Sequence, residues 1–177
     1  MKSIQEYSIP FTGLKLGVHQ FEFGVEDSFF KEFEYSLVKS GKLKVNLELE
    51  KQETMMILHF HIYGGIKLGC DVCLADYPYQ VDFKERQIVK LNGDEELEDD
   101  TEEIVVLKRS ETEINVATLI YEFINLAVPY ISRCEDERNT EWCDREMIAK
   151  LEQLAPGSKE EIEDADSRWE ALKNIKK

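Results

Sequence analysis

Alternating apolar and polar residues mark one strand of this protein more clearly than any other element. Apolar side chains occupy every second position from Leu43 to Leu49, and polar or charged side chains fill the positions between them. A repeat of two residues places the apolar set on one face of an extended strand. A second apolar run covers residues 55–65. The connection is too short for a crossover, so the two runs should pair as an antiparallel hairpin.

Further extended segments flank this hairpin on both sides. Strand-type residues cluster between Val18 and Val25, and a long extended run covers residues 77–91. A short apolar run from Ile104 to Leu107 adds one more strand. Together with the helices below, these segments predict an α+β fold with a mainly antiparallel sheet, which could curl toward a barrel.

Helical spacing of apolar residues predicts three or four short helices. The first covers residues 28–40 and stops at Gly41, and the second begins at a cap, Thr112 or Asn115. The second helix should end before Pro129. The apolar residues expected to face inward are Phe29, Phe30, Phe33 and Leu37 in the first helix and Leu119, Ile120, Phe123 and Ile124 in the second.

A further amphipathic helix is predicted at residues 144–154, with Met147, Ile148, Leu151 and Leu154 facing inward. The chain is expected to form a single α+β domain over residues 1–155, followed by a linker and tail at 156–177. Residues 94–103 carry eight acidic side chains and one apolar side chain, which predicts a solvated loop. This loop is either a spacer that contacts nothing or an acidic segment that attracts a basic partner.

Charge narrows the classes of partner. The formal net charge is −15 and the sequence pI is about 4.7. A molecule this negative is repelled by a phosphate backbone and by an anionic lipid surface, so a protein with a basic face is the better partner. No apolar run approaches the roughly 20 residues of a spanning helix, and the N-terminal residues lack a secretory signal pattern. The protein is therefore expected in the cytoplasm, where thiols stay reduced.

The four cysteines form two pairs, Cys70 with Cys73 and Cys134 with Cys143. The first pair is a C-x2-C motif on a turn between two predicted strands. Structural zinc is held by four ligands in a tetrahedron, often thiolates, so one interpretation is a zinc site made by all four cysteines. A second interpretation is that the C-x2-C motif is half a site, or has lost its metal.

A third interpretation is a redox-active pair, and the surroundings of the motif argue against it. A reactive thiol is favoured at a helix N-terminus, whereas the residues after Cys73 look like strand. Asp71 and Asp76 would raise a thiol pKa rather than lower it.

Other candidate chemistry is sparse. His59 and His61 share one strand face and could hold a metal, but they are expected to form the polar side of a half-buried strand. His19 is isolated and is assigned no role. The chain has no nucleophile elbow, P-loop, dinucleotide-binding turn or HExxH motif, so an enzyme is not expected.

In combination, several segments resemble the bacterial YceD-like family, the large ribosomal RNA subunit accumulation proteins. The segments that carry the resemblance are "GLKLGVHQFEF", "FFKEFEYSLVKSGKLKVNLELEK", "GGIKLGCDVCL", "INVATLIYEFINLAVP" and "DSRWEALKNIKK". The resemblance implies a role in accumulation of large-subunit ribosomal RNA and in ribosome assembly. It also implies a metal site, and it raises nucleic-acid binding as a candidate property.

Carried over by residue, the resemblance matches Cys70 and Cys73 to the family's CxxC motif and Cys143 to a later cysteine that opens a helix. Cys134 is a departure from the family pattern, although cysteine suits zinc. Trp169 lies in the tail motif, where it is expected to anchor the tail by a hydrophobic contact.

The resulting hypothesis is a non-enzymatic factor for large-subunit assembly with a structural zinc site. Its partner would be a ribosomal protein or a pre-ribosomal particle. The alternative is a direct RNA-binding module, for which the candidate contacts are Lys42, Lys44 and Lys51 near the hairpin, while Lys173, Lys176 and Lys177 form a second basic cluster in the tail.

Overall fold

The computed structural model describes residues 4–93, 104–108, 110–134 and 140–154, except for the side chains of residues 92, 93 and 140. The predicted acidic loop and the predicted linker and tail, with Trp169, lie outside the described residues. The strands are β1 (Ser8–Pro10), β2 (Gly17–Val25), β3 (Ser40–Lys51), β4 (Met55–Gly69), β5 (Asp76–Gly93), β6 (Ile104–Lys108) and β7 (Glu113–Asn115). The α-helices of the described residues are α1 (Asp27–Phe30), α2 (Ala117–Leu126) and α3 (Arg145–Leu154), and 3-10 turns lie at Ile4–Tyr7 and Thr140–Trp142.

A five-stranded sheet in the order β2-β3-β4-β5-β6 dominates the fold. Its pairs are antiparallel except for β5 with β6, which run parallel, so the sheet is mixed. The α+β class and the β3–β4 hairpin are confirmed. The described strands form an open sheet with β2 and β6 at its edges, and a closed barrel is not found among them. Strands β1 and β7 pair in a separate two-stranded sheet.

The core lies between one face of the large sheet and α2. The alternation in β3 is confirmed, because the apolar residues from Leu43 to Leu49 are buried at every second position. Phe60 of β4 meets Phe123 of α2 at a ring-centroid distance of 5.2 Å. On α2 the buried residues are Ala117, Ile120, Phe123 and Ile124, while Leu119 is half-buried.

The helix predicted at 28–40 is wrong in its length. Helix α1 has only one turn, which is enough to bury Phe29 and Phe30, and the chain continues in short turns. Aromatic residues and serine have weak helix propensity, so nothing extends the helix beyond that buried pair. Leu37, expected inside, is 68% exposed. Gly41 lies in β3, where a Cβ would come within 3.0 Å of the Gly65 carbonyl oxygen, so this glycine permits close strand contact rather than stopping a helix.

Helix α2 begins close to the predicted cap and ends as predicted. The N-cap residue is Val116, one position after the predicted Asn115, whose side-chain oxygen accepts the N–H of Ala117 at 2.9 Å. The helix ends at Leu126, before Pro129. Within the described ranges, no helix combines the length and the apolar character that a membrane span requires.

Helix α3 belongs to a second compact unit, residues 144–177, whereas residues 1–143 form the first. The helix is confirmed at Arg145–Leu154, and Asp144 caps it by accepting the N–H groups of Glu146 and Met147 at 3.0 and 3.1 Å. No side chain of α3 is fully buried: of the four residues expected to face inward, Met147 and Ile148 are half-buried, whereas Leu151 and Leu154 are 42% and 80% exposed. A single domain over 1–155 stays a prediction.

Candidate metal centre

The C-x2-C motif lies on the turn between β4 and β5, as the sequence predicted. The Cys70 N–H donates to the Ala75 carbonyl oxygen, and the Leu74 N–H donates to the Cys70 carbonyl oxygen, both at 2.9 Å. Leu74 adopts a left-handed conformation with φ 62°, which lets the chain reverse within this short loop. The turn thereby brings both cysteine side chains to its inner side, where Cys70 is 3% exposed and Cys73 is 2% exposed.

Backbone N–H groups converge on the Cys70 sulfur. Those of Val72 and Cys73 donate to Sγ at 3.4 and 3.5 Å, and that of Cys134 donates as well. Burial raises the pKa of this thiol, but the N–H donors and the Cys73 side chain outweigh burial and lower the pKa from 9.0 to about 7. The increase in thiol pKa expected from Asp71 and Asp76 is therefore wrong for Cys70, and the lowered pKa favours the thiolate, the form of cysteine that binds metal.

A second segment reaches the turn from a distant part of the sequence. The Asp71 N–H donates to the Ser132 carbonyl oxygen at 2.8 Å. The Ser132 N–H donates in return to the Asp71 side-chain oxygen Oδ2 at 2.7 Å. These two hydrogen bonds hold the segment before Cys134 against the C-x2-C turn, so the third cysteine arrives beside the first two.

Three sulfur atoms meet as a result. The Sγ atoms of Cys70, Cys73 and Cys134 all lie within 4.8 Å of one another, and Cys73 Sγ is 3.8 Å from Cys134 Sγ. A tetrahedral zinc ion with Zn–S bonds of about 2.3 Å requires sulfur atoms about 3.8 Å apart. The three buried thiols therefore fit the donor type and spacing of a metal site. No other group of three or more such ligands lies this close together in the described part of the chain.

Cys143 lies at the edge of this cluster. It is half-buried, directly before the Asp144 cap, and its side chain makes a hydrogen bond with Cys134. Burial raises the pKa of the Cys134 thiol far above its ordinary value, and hydrogen bonds with the other three thiols act in the same direction. Of the four predicted ligands, the structure groups three tightly and places the fourth in contact with one of them.

The three histidines do not belong to the thiol cluster. His61 Nε2 lies 2.8 Å from the Asp82 carboxylate on the polar face of the sheet, and His59 is exposed on the same face. His19 Nε2 lies 2.8 Å from the Lys15 carbonyl oxygen. None of them belongs to a group of three metal ligands within the described residues.

The three lysines suggested as RNA contacts do not form one patch. Lys42 and Lys44 are exposed at alternate positions of β3 and share a face. Lys51 is half-buried, and its ammonium donates to the carbonyl oxygens of Phe11 and Leu14 at 2.6 and 2.8 Å. Lys51 thus anchors the segment before β2.

Sequence reasoning missed the residues that join the two halves of the site. From the sequence, Asp71 counts only as a negative charge beside the cysteines, and nothing marks Ser132. An aspartate inside a tight turn is common, and a lone serine carries no signal, so only the fold identifies this pair.

A family model described as "Large ribosomal RNA subunit accumulation protein YceD" matches residues 58–176, which include all four cysteines. The N-terminal segments that carried part of the resemblance, up to residue 57, lie outside this match. No curated protein and no solved structure matches the chain. Because the matched region covers more than half of the sequence, the chain belongs to the YceD family of large ribosomal RNA subunit accumulation proteins.

Proposed function

We propose that this protein is a non-enzymatic factor of the cytoplasm that supports assembly of the large ribosomal subunit. Membership of the YceD family supplies the link to accumulation of large-subunit ribosomal RNA. The observation that carries the molecular part of the proposal is the cluster of three buried thiols.

The metal in this proposal is zinc, held by Cys70, Cys73, Cys134 and Cys143. Thiolates are ligands that zinc prefers, and a set of four closes its tetrahedron without an open position for substrate. Such a site stabilises the fold, because the free energy of metal binding adds to that of folding. It would hold the β4–β5 turn to the segment around Cys134.

Metal content of the purified protein tests this assignment. The wild type should carry one zinc ion per chain, and the double variant Cys70→Ser, Cys73→Ser should carry none. Cys143→Ser tests the fourth ligand separately, since it leaves the three clustered thiols intact and should weaken zinc retention without abolishing it. A wild-type protein purified without chelators and free of zinc would contradict the proposal.

The partner in this proposal is a basic ribosomal protein or a pre-ribosomal particle. The net charge of −15 attracts a cationic surface and repels free RNA. Depletion of the protein should lower the amount of large-subunit ribosomal RNA relative to small-subunit RNA. Unchanged RNA levels after complete depletion would contradict the cellular role.

Direct RNA binding is the second candidate, and the exposed pair Lys42 and Lys44 on β3 favours it. Binding of this kind should fall steeply as salt increases. It should also be lost in a Lys42→Gln, Lys44→Gln variant. Retention of ribosomal proteins without retention of RNA at low salt would decide for the first candidate.

A further inference from the structure

Strand β2 forms an edge of the large sheet, and part of its backbone has no strand partner among the described residues. Its one partner among the described strands is β3. The Tyr7 hydroxyl donates to the Gly24 carbonyl oxygen at 2.8 Å, so the backbone of Gly24 faces away from β3. Along an edge strand, the N–H and C=O groups of successive residues point alternately toward the neighbouring strand and away from it. The even-numbered residues Val18, Gln20 and Glu22 therefore also direct their N–H and C=O groups to the open side.

Pairing inside the sheet independently gives the same alternation. The Gln52 N–H donates to the Met55 carbonyl oxygen at 2.9 Å, so even-numbered residues of β3 hydrogen-bond β4 and odd-numbered residues hydrogen-bond β2. In the β2–β3 register, odd-numbered residues pair with odd-numbered residues, as Phe21 does with Leu47. The even-numbered residues of β2 are left for the open edge.

The usual protections of an edge strand are missing from β2. Residues 17–25 contain no lysine and no proline, the residues that most often prevent pairing with another chain. Phe21 and Phe23 are half-buried on the core face, so an added strand would cover more of both rings. Gln20 and Glu22 are exposed on the opposite face. The edge can thus receive both main-chain hydrogen bonds and apolar contacts.

The exposed face beside this edge is acidic. Glu22 of β2 and Glu48 of β3 are both exposed, and neither makes an ion pair with a described residue. The two carboxylates border a groove of about 590 Å³ across the middle of the sheet. Lys84 and Arg86 of β5 line the other side of the same groove, and Lys44 lies beside Gly24, so the acidic part of this face is the part next to β2. Positive charge on a bound segment would thus be favoured next to β2 itself.

We propose that β2 binds an extended, basic segment of a partner protein, which adds to the sheet as a further strand. Main-chain hydrogen bonds to Val18, Gln20 and Glu22 would supply affinity. Alternating side chains would supply selectivity, with apolar residues on Phe21 and Phe23 and basic residues on Glu22 and Glu48. The inference deepens the proposed function and rests on it for the partner's identity as a ribosomal protein, although strand pairing itself does not.

A second copy of this chain is a poorer occupant. Two molecules of charge −15 repel each other, and each β2 strand would bring a further Glu22 carboxylate to the edge without a basic residue of β2 to pair with it. A basic segment relieves that repulsion.

The test uses a ten-residue peptide of alternating lysine and valine, capped at both ends, with binding followed by isothermal calorimetry. Gln20→Pro removes an N–H that β3 does not use, so the variant should fold while losing the open edge. Its affinity should fall at least about tenfold. A peptide N-methylated at alternate residues keeps its charge but cannot form the ladder, and it should bind as weakly.

Two charge-reversal variants distinguish binding at the β2 edge from general electrostatic attraction to the protein. Glu22→Lys replaces a negative charge with a positive one at the edge, and Glu122→Lys makes the same change at an exposed position of α2. We expect the first to weaken peptide binding severalfold more than the second. Hydrogen exchange should slow at the amides of residues 20 and 22 and stay unchanged at those of residues 19 and 21.

Several outcomes would overturn the inference. Equal binding by the wild type and a folded Gln20→Pro variant would show that attraction is only electrostatic. Self-association abolished by Gln20→Pro, without peptide binding, would assign the edge to a second copy, and RNA binding with that sensitivity would assign it to nucleic acid. If the peptide pairs with β2 but ribosomal RNA levels stay normal after depletion of the protein, the proposed function would be refuted. The inference that β2 binds an added strand would still hold.

Discussion

Asp71 and Ser132 hold each other through a reciprocal pair of hydrogen bonds at 2.8 and 2.7 Å, although 61 positions separate them in the sequence. One bond joins two backbone groups, and the other uses the Asp71 carboxylate. This pair links the C-x2-C turn to the segment that carries Cys134, in addition to the contacts between the cysteines themselves.

Asp71→Ala should therefore loosen the cluster. Loss of a charge-assisted hydrogen bond leaves the Ser132 N–H unsatisfied, and the free energy of unfolding should fall by about 1–3 kcal/mol. Urea unfolding measures this change. Asp76→Ala is the matched control, because Asp76 is exposed and forms only a surface ion pair with Lys67 at 3.3 Å, so its loss should cost less than about 1 kcal/mol. Equal effects of the two variants would contradict the role of Asp71.

Gly64 should tolerate no side chain. Its φ is +143°, and a Cβ would lie 2.8 Å from the Leu43 Cα on the neighbouring strand. Gly64→Ala should lower the free energy of unfolding by about 1–3 kcal/mol or more, through both strain and contact with β3. Gly69→Ala in the same strand is the control, since nothing lies within 4 Å of its Cβ position. Similar melting temperatures for both variants would be evidence against this account.

Lys51 should contribute to the free energy of unfolding. Lys51→Met removes two hydrogen bonds to the Phe11 and Leu14 carbonyl oxygens, and the free energy of unfolding should fall by about 1.5–3 kcal/mol. Lys44→Met, at an exposed position of β3, should change it by less than about 0.5 kcal/mol. Thermal unfolding compares the two variants, and an unchanged stability of Lys51→Met would show that the two ammonium hydrogen bonds are dispensable.

Tyr7 should make the protein less stable in strong alkali. Burial, and then the nearby Glu6 and Glu26 carboxylates, raise the pKa of its phenol from 10.0 to about 12. The folded state therefore keeps the proton that the unfolded state loses between pH 10 and 12, and this contribution to stability disappears as pH rises through that window. Denaturant unfolding across this range measures the slope.

Tyr7→Phe cannot ionise and should show a shallower loss of stability between pH 10 and 12, although it loses the hydrogen bond to Gly24 at every pH below that range. Tyr35→Phe removes the same hydroxyl from a side chain that is 83% exposed and serves as the control. A wild-type slope in Tyr7→Phe would show that other groups cause the alkaline loss.

The elements that sequence reasoning located correctly carry strong local signals. The alternation in β3, the short connection to β4 and the start of α2 next to Asn115 each follow from side-chain periodicity or from a local hydrogen bond. The predicted helix at 28–40 failed because the spacing of its phenylalanines suited a helix, whereas packing needed only one turn around Phe29 and Phe30. The parallel pairing of β6 with β5 has no local signal either.

The candidate site divides in the same way. The spacing of Cys70 and Cys73 identifies them as candidate ligands, and the two flanking strands predict the turn on which they lie. The arrival of Cys134 depends on tertiary structure, through Asp71 and Ser132, and no spacing rule predicts it. The open edge of β2 likewise follows from strand order, which a single sequence does not reveal.

The long separation of the thiols has a consequence during protein synthesis. When Cys73 leaves the ribosome, its neighbour Cys134 lies 61 residues further along the message. At ordinary elongation rates the two first sulfurs wait about 3–12 s for the third. Throughout that interval the thiol pair of the β4–β5 turn lacks its third partner, so the cluster can close only after residue 134 has been synthesised.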